Sequence, residues 1–176
     1  MRIYYLMFFL IFSSCIEEKI NVLSQKKIEC RSFLFGNDKI NYFKVKKTQQ
    51  ISKESIYYIY EYDNNIDTLQ INSKKITSYN SKILKEIDLK EIIFNKKTYN
   101  ISKFLYSDSL NYKLDKHIYV EKDIGVIFIQ NLNTGKMYEY EINYYCFLHE
   151  IIANNKVNFT DGPFEPIYAS KNYIRY

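Results

Sequence analysis

Apolar and polar side chains alternate in short segments along most of this chain, and turn-forming residues separate the segments. From about residue 28 to residue 143, β-branched and aromatic residues dominate the runs, with Asn, Asp, Ser and Lys between them. A period of two in such residues is typical of antiparallel β-strands. The pattern predicts a mainly β fold, in the form of a single-domain antiparallel curved sheet or incomplete barrel.

Two hairpins are predicted in the first half of this region. Residues 56–62, IYYIYEY, place isoleucine and tyrosine on one face, and the triplet DNN then supplies a turn before residues 66–71. The triplet NKK at 95–97 separates residues 91–94 from residues 98–106 in the same way. We therefore expect two pairs of adjacent antiparallel strands.

Residues 117–143 predict a meander of three sequential strands. Lys122 and Asp123 can form the first turn, and Gly125 suits a β-bulge. The run VIFI at 126–129 is apolar on both faces, which is typical of a covered central strand. The triplet NTG that follows at 133–135 closes the next hairpin.

Glu139 and Glu141 alternate with tyrosine and isoleucine in the last strand of this meander. Two carboxylates at this spacing could perform acid–base chemistry, but their regular alternation favours the solvent-facing side of a sheet. The pattern predicts that both side chains are exposed.

The last part of the chain gives weaker signals. Residues 144–153, YYCFLHEIIA, slightly favour one short helix because apolar residues recur at helical spacing. Glycine and proline interrupt the sequence from residue 157, which predicts a packed loop, and residues 172–176 could form an edge strand.

Length and charge set loose limits on function. The 176 residues suffice for one domain with a substantial core, and the net charge of +5 is too mild to predict nucleic-acid binding. Basic clusters at 44–47 and 96–97 are expected at solvated edges or turns. The 19 tyrosines, with no tryptophan, leave open a carbohydrate- or protein-binding surface or ordinary core packing.

The sequence contains no motif that predicts catalysis. The only histidines, His117 and His149, lack zinc-ligand spacing, and four glycines leave no phosphate-binding loop. Cys146 and His149 could share a helical face, an arrangement that also arises by chance. We expect no catalytic residue, no metal and no cofactor, and thus a protein that is not an enzyme.

The N-terminal segment carries an export signal. Arg2 precedes an apolar run at 3–12, and the segment Ile-Phe-Ser-Ser-Cys that ends at Cys15 resembles the lipobox of bacterial lipoproteins. The resemblance implies a signal peptide at 1–14, acylation of Cys15 with chains such as palmitate, and membrane attachment without a spanning helix. The alternatives are an ordinary secretory signal and a buried, structural Cys15.

Residues 15–27 then form a lipidated tether, and the single mainly β domain occupies 28–176. The acidic pair after Cys15, in IEEK, is similar to the surface-export signal of lipoproteins from Bacteroidetes-type bacteria, and a solvated charged linker explains it equally well. The implied address is the bacterial envelope, at the outer membrane, on either the periplasmic face or the cell surface.

Two further features resemble proteins of these bacteria. The triplets DTL and DSL resemble O-glycosylation acceptors at Thr68 and Ser109, although turn formation by Asp-Thr and Asp-Ser is the favoured interpretation. The order of elements over 91–129 is loosely similar to small lipoproteins that have no established activity, so it implies no chemistry.

Cys30 and Cys146 remain after Cys15 is assigned to the lipid. In an oxidising compartment they can form a disulfide, and two separate buried thiols are the alternative. For function we expect an envelope lipoprotein with a binding or structural role, whose partners are the membrane and an envelope protein or polymer. The alternatives are an immunity-type lipoprotein that neutralises a delivered toxin and, with less support, a cryptic hydrolase.

Overall fold

A computed structural model describes residues 20–34, 39–107 and 115–142, and these ranges are built of β-strands without a helix. The strands in chain order are β1 Asn21–Leu34, β2 Asn41–Ile51, β3 Ser55–Tyr62, β4 Asn65–Asn72, β5 Thr77–Tyr79, β6 Lys82–Ile83, β7 Lys85–Phe94, β8 Lys97–Tyr106, β9 Lys116–Glu121, β10 Gly125–Asn131 and β11 Lys136–Glu139. Among the residues described, no helix has the length and apolarity needed to cross a bilayer.

All eleven strands belong to one antiparallel sheet with the order β6-β5-β4-β3-β2-β1-β11-β10-β9-β8-β7. Every neighbouring pair is also adjacent in sequence except β1 and β11, which join the first half of the chain to the second. The sheet curls into a nearly closed barrel. Leu84 links β6 directly to β7, and its N–H donates to the Thr77 carbonyl at 2.9 Å. The predicted mainly β antiparallel fold is confirmed.

Both predicted hairpins are confirmed. β3 pairs with β4 over their full length, and Asp63 at the turn has a φ of 48°. β7 pairs with β8, and both turn residues, Asn95 and Lys96, have positive φ values of 50° and 63°. Two successive left-handed residues match the twist of the strands on either side.

The predicted meander is confirmed as β9, β10 and β11, and residues 126–129 are buried. The register shifts between Val126 and Phe128, just after the glycine expected at a bulge. Gly125 has a φ of 94°, and a Cβ atom there would lie 2.9 Å from Cγ of Tyr58. Both the backbone angle and the available space therefore require glycine at this position.

Buried side chains form two clusters, one on each face of the sheet. The barrel interior includes Ile28, Cys30, Val45, Tyr58, Tyr60, Leu69, Tyr79, Phe104, Ile118 and Val126. A second cluster lies on the opposite face and includes Phe33, Ile92, Tyr99, Ile101, Tyr119, Phe128 and Met137. In the part of the chain that the structure describes, six tyrosines are buried, which favours the packing interpretation for these rings: Tyr58, Tyr60, Tyr79, Tyr99, Tyr119 and Tyr140. Tyr42, at 63% exposure, is an exception.

Three predictions about individual segments are wrong. Residues 21–27 are not a tether but the first half of β1, because they pair with β2, although the first buried side chain is Ile28. Lys47, in a cluster expected to be solvated, is only 5% exposed. Asp67, Thr68 and Leu69 do not form a turn, because they lie inside β4. Lys96 and Lys97 are exposed at a turn, as expected.

Several predictions concern residues outside the described ranges. These are the signal peptide at 1–14, the short helix at 144–153, the C-terminal loop and the edge strand at 172–176. They stay predictions.

Candidate functional site

One end of the barrel carries an open cavity, and the strand register defines which end it is. Asn21 pairs with Ile51, Ile51 with Ile56, Ile56 with Ile71, and Ile71 with Thr77. These residues form one row across the first five strands. We call the end of the barrel at this row, with the turns at 52–54, 73–76 and 122–124, the mouth.

The cavity at the mouth has a volume of about 730 Å³. Its apolar floor and wall consist of Ile56, Ile71, Phe104 and Val120. Hydroxyl and amide groups surround this floor: Ser52, Ser55, Asn72, Ser73, Thr77, Asn100 and Ser102. Charged side chains stand at the rim: Lys53, Glu54, Lys75, Glu86 and Lys122. An apolar concavity with a polar rim suits an amphiphilic ligand.

Backbone hydrogen bonds hold the rim in place. The Ser73 N–H donates to the Glu54 carbonyl at 2.6 Å, which ties the turn after β2 to the turn after β4. Ser52 Oγ accepts the Ser55 N–H at 3.1 Å, and Asn72 Oδ1 accepts the Ile76 N–H at 2.8 Å. Side-chain caps of this kind stabilise turns, so the chain's own contacts fix the shape of the mouth.

A buried ion pair lies in the barrel interior. Lys47 Nζ donates to Glu141 Oε1 and to the Ile124 carbonyl, and Lys26 Nζ donates to Glu141 Oε2 at 2.7 Å. Lys47 is 5% exposed and Glu141 only 1%. Burial lowers the pKa of Lys47, and the Glu141 carboxylate opposes part of that shift.

Two tyrosines connect this ion pair to the mouth. The Lys47 ammonium lies 5.1 Å from the ring centre of Tyr58 and 5.9 Å from that of Tyr60. Tyr58 donates to the carbonyl of Lys122, a rim residue, at 2.6 Å, and Tyr60 accepts the Val126 N–H at 2.7 Å. Desolvation raises the pKa of both phenols, which therefore stay neutral donors and acceptors.

The prediction that Glu139 and Glu141 are exposed is wrong: they are 2% and 1% exposed. Glu139 pairs with Arg31 at 2.6 Å on the face of the second cluster. Glu141 follows the end of β11, and its φ of 56° breaks the strand alternation and turns it towards Lys47. The two carboxylates contact different cations on different faces, so they do not form an acid–base pair.

The far end of the barrel is filled by aromatic rings. Lys116 Nζ lies 4.7 Å from the ring centres of both Tyr79 and Tyr106, whose rings meet edge to face at 6.1 Å. The Tyr62 hydroxyl donates to Asp67 at 2.5 Å, and Asn80 Nδ2 donates to the same carboxylate at 2.7 Å. Among the described residues, these side chains thus occupy the far end, whereas the cavity lies at the mouth.

The structure describes only some of the site residues predicted from the sequence. Thr68 lies in β4, partly buried, with its N–H bonded to Asn80 Oδ1 at 2.8 Å. Cys30 is buried at 0% exposure, and burial raises the pKa of its thiol to about 12. Cys15, Ser109 and Cys146 lie outside the described ranges, so acylation, glycosylation at Ser109 and the disulfide stay predictions.

The cavity and the Lys47–Glu141 pair were not predicted. The cavity joins residues from β3, β4, β5, β7, β8 and β9, and sequence spacing carries no signal for their meeting. Lys47 and Glu141 are 94 positions apart. A signal did exist for Lys47, because it occupies the same strand face as Val45.

Comparisons of the chain with protein families, curated proteins and solved structures give no match. Among the described residues, no group of three or more His, Cys, Asp or Glu side chains is placed to hold a metal ion. The geometry of the mouth is therefore the main guide to function.

Proposed function

We propose that this chain is an envelope lipoprotein, held at the outer membrane through acylated Cys15, whose barrel binds an amphiphilic ligand. The observation that carries the binding role is the mouth cavity, with its apolar floor beneath a polar rim. An envelope polymer or protein could also bind there through such a group. The role requires no catalytic residue.

The lining residues define the chemical class of the ligand. Phe104 and Val120 are already packed in the interior at 5% and 4% exposure, so an apolar chain would cover mainly the partly exposed side chains of the cavity wall: Ile56, Ile71 and Leu89. Removing apolar surface from water contributes roughly 25 cal/mol per Å² before the costs of immobilisation. Serine hydroxyls and asparagine amides near the rim can bond a polar head, and lysines can pair with an anionic one.

A cavity-filling substitution tests the binding role. Ser102 lies midway along β8 with its side chain in the cavity wall, so Ser102→Trp should occupy the space of the ligand. We expect the affinity for a dansyl-labelled undecanoic acid to fall by about tenfold or more, equivalent to about 1.4 kcal/mol. The measurement is dansyl fluorescence against protein concentration, on a soluble chain that begins at residue 16.

Ser107→Trp is the matched control, because Ser107 is exposed just after β8 at the opposite end of the barrel. It should bind the probe as the parent chain does. Equal affinity in all three proteins, or no saturable binding to the parent chain, would show that the cavity is not a binding site.

A second experiment tests the anchor. Cys15→Ser removes the sulfur that carries the acyl chains, so we expect loss of labelled palmitate and loss of the protein from the membrane fraction. Cys30→Ser serves as the control, because Cys30 is buried in the barrel. Unchanged palmitate labelling and membrane fractionation in Cys15→Ser would contradict the anchoring proposal.

A further inference from the structure

We propose that the mouth is the face that docks on an anionic phospholipid leaflet, so that the cavity opens onto the membrane surface. This inference rests on the proposed function, because it uses Cys15 as the anchor. It adds an orientation and a source of ligand: the leaflet itself would supply the amphiphile.

The first argument is the place where the chain enters the barrel. β1 begins at Asn21, which lies in the mouth row opposite Ile51. Only residues 16–19 separate Cys15 from Ile20, and an extended chain covers at most about 3.6 Å per residue. The anchor point thus lies within about 18 Å of the mouth, and the far end of the barrel points away from it.

The second argument is charge. Lysines lie in or beside the turns at the mouth and at the tip of the β7–β8 hairpin, which projects beyond β9 on the same side: Lys53, Lys74, Lys75, Lys96, Lys97 and Lys122. Acidic residues in or beside these turns and at the rim are fewer, namely Glu54, Glu86, Glu121 and Asp123. The described turns at the far end, 63–64, 80–81 and 132–134, contain no lysine, but Lys82 and Lys136 lie beside them and Asp63 lies in one of them. This polarity complements anionic headgroups at the mouth.

The third argument is exposed apolar surface beside those lysines. Ile20, Val22 and Leu23 are 52%, 61% and 56% exposed at the start of β1, and Ile76 is 44% exposed at the turn before β5. Leu89 adds a half-exposed side chain at the cavity wall. Apolar side chains also protrude elsewhere, but here they stand next to the anchor and among basic residues, the combination found at membrane interfaces.

The chain contains no tryptophan, so a single introduced indole reports its own position. We would reconstitute the lipidated protein carrying Ser73→Trp, with Lys53→Trp as a second mouth reporter and Ser107→Trp as the far-end control. The vesicles contain phosphatidylglycerol with brominated acyl chains, which quench indole at the interface. Flotation of the vesicles measures anchoring independently.

We expect the emission of both mouth reporters to fall by about twofold in brominated vesicles while Ser107→Trp is unchanged, since interfacial groups lie within about 5–10 Å of the acyl boundary. The double substitution Lys74→Glu, Lys75→Glu should restore much of the emission of the mouth reporters without reducing flotation.

If the protein floats but the mouth reporters are unquenched, or quenching is stronger for Ser107→Trp, the orientation is wrong and the anchor stands. If the lipidated protein does not float, the anchor itself fails, and this inference fails with it. Equal quenching in phosphatidylcholine and phosphatidylglycerol vesicles, or no effect of the charge reversals, would overturn the anionic preference.

Discussion

At the scale of single residues, the interior of the barrel combines a charged centre with a wall of phenol rings. Lys47 and Glu141 neutralise each other, and the Ile124 carbonyl accepts a further bond from the ammonium. Lys26 provides a second cation for Glu141 from a position that is 41% exposed. Removing such a pair from water costs free energy, but burying one member without the other costs far more.

Glu141→Gln should therefore destabilise the fold by about 3–5 kcal/mol, because the Lys47 ammonium stays buried without its carboxylate. The double variant Lys47→Met, Glu141→Gln should lose less free energy of unfolding than the two single substitutions lose together, since neither charge remains. The measurement is a double-mutant cycle by urea denaturation.

Glu61→Gln is the surface control for that cycle. Glu61 pairs with Lys46, the neighbour of Lys47, at 3.0 Å, and both side chains are about 40% exposed. Its loss should change stability by less than about 1 kcal/mol. An equal cost for Glu61→Gln and Glu141→Gln would contradict the role assigned to the buried pair.

At the scale of elements, local patterns predict the hairpins well because register and turn chemistry are encoded within a few residues. The DNN and NKK triplets and the NTG turn each fall between paired strands. The burial of Glu139 could not be predicted in this way, because its partner Arg31 lies in β1, 108 positions earlier. Strand alternation does not predict the burial of Glu141, because β11 ends at Glu139. For the same reason the cavity, which joins six strands, has no local signature.

The turn between β7 and β8 offers a test of local backbone strain. Lys96 adopts a φ of 63°, a conformation that costs a non-glycine residue about 1 kcal/mol, and Asn-Gly is the preferred pair in such turns. Lys96→Gly should raise the free energy of unfolding by about 0.5–1 kcal/mol. Thermal or urea denaturation measures the change.

Lys97→Gly is the matched control, since Lys97 is the first residue of β8 and is also exposed. Glycine in a strand should lower stability by roughly 0.5–1 kcal/mol. Stabilisation by both substitutions, or by neither, would show that turn conformation does not set the difference.

At the scale of the whole molecule, the barrel has two unlike ends. The far end is packed by Tyr79, Tyr106 and Lys116, while the mouth keeps a cavity of about 730 Å³. Tyrosine rings fill the space between them, and their hydroxyls bond backbone groups of the β9–β10 turn and of β10. The described tyrosines therefore serve mainly to build the interior, and the mouth keeps the open cavity.

This tyrosine-filled interior predicts how the protein responds to alkali. Burial raises the pKa of Tyr60, Tyr79 and Tyr140 well above the ordinary value near 10, and the pKa of Cys30 from 9.0 to about 12. A group with a raised pKa in the folded state contributes its full stability below its unfolded pKa and loses it as pH rises through the folded value. The free energy of unfolding should thus keep its full value below pH 9 and fall progressively as pH rises above 9 to 10.

Phenol absorbance at 295 nm and far-UV circular dichroism, recorded across the same pH series, measure this response. We expect the buried phenols to ionise in one cooperative step that coincides with loss of the β signal, because they lose their protons only when the barrel opens. In guanidinium chloride the same phenols should titrate gradually near pH 10, the value of unstructured tyrosine. If the native protein titrates as gradually as the denatured chain while its β signal persists, the rings are not held in the dry interior that the structure describes.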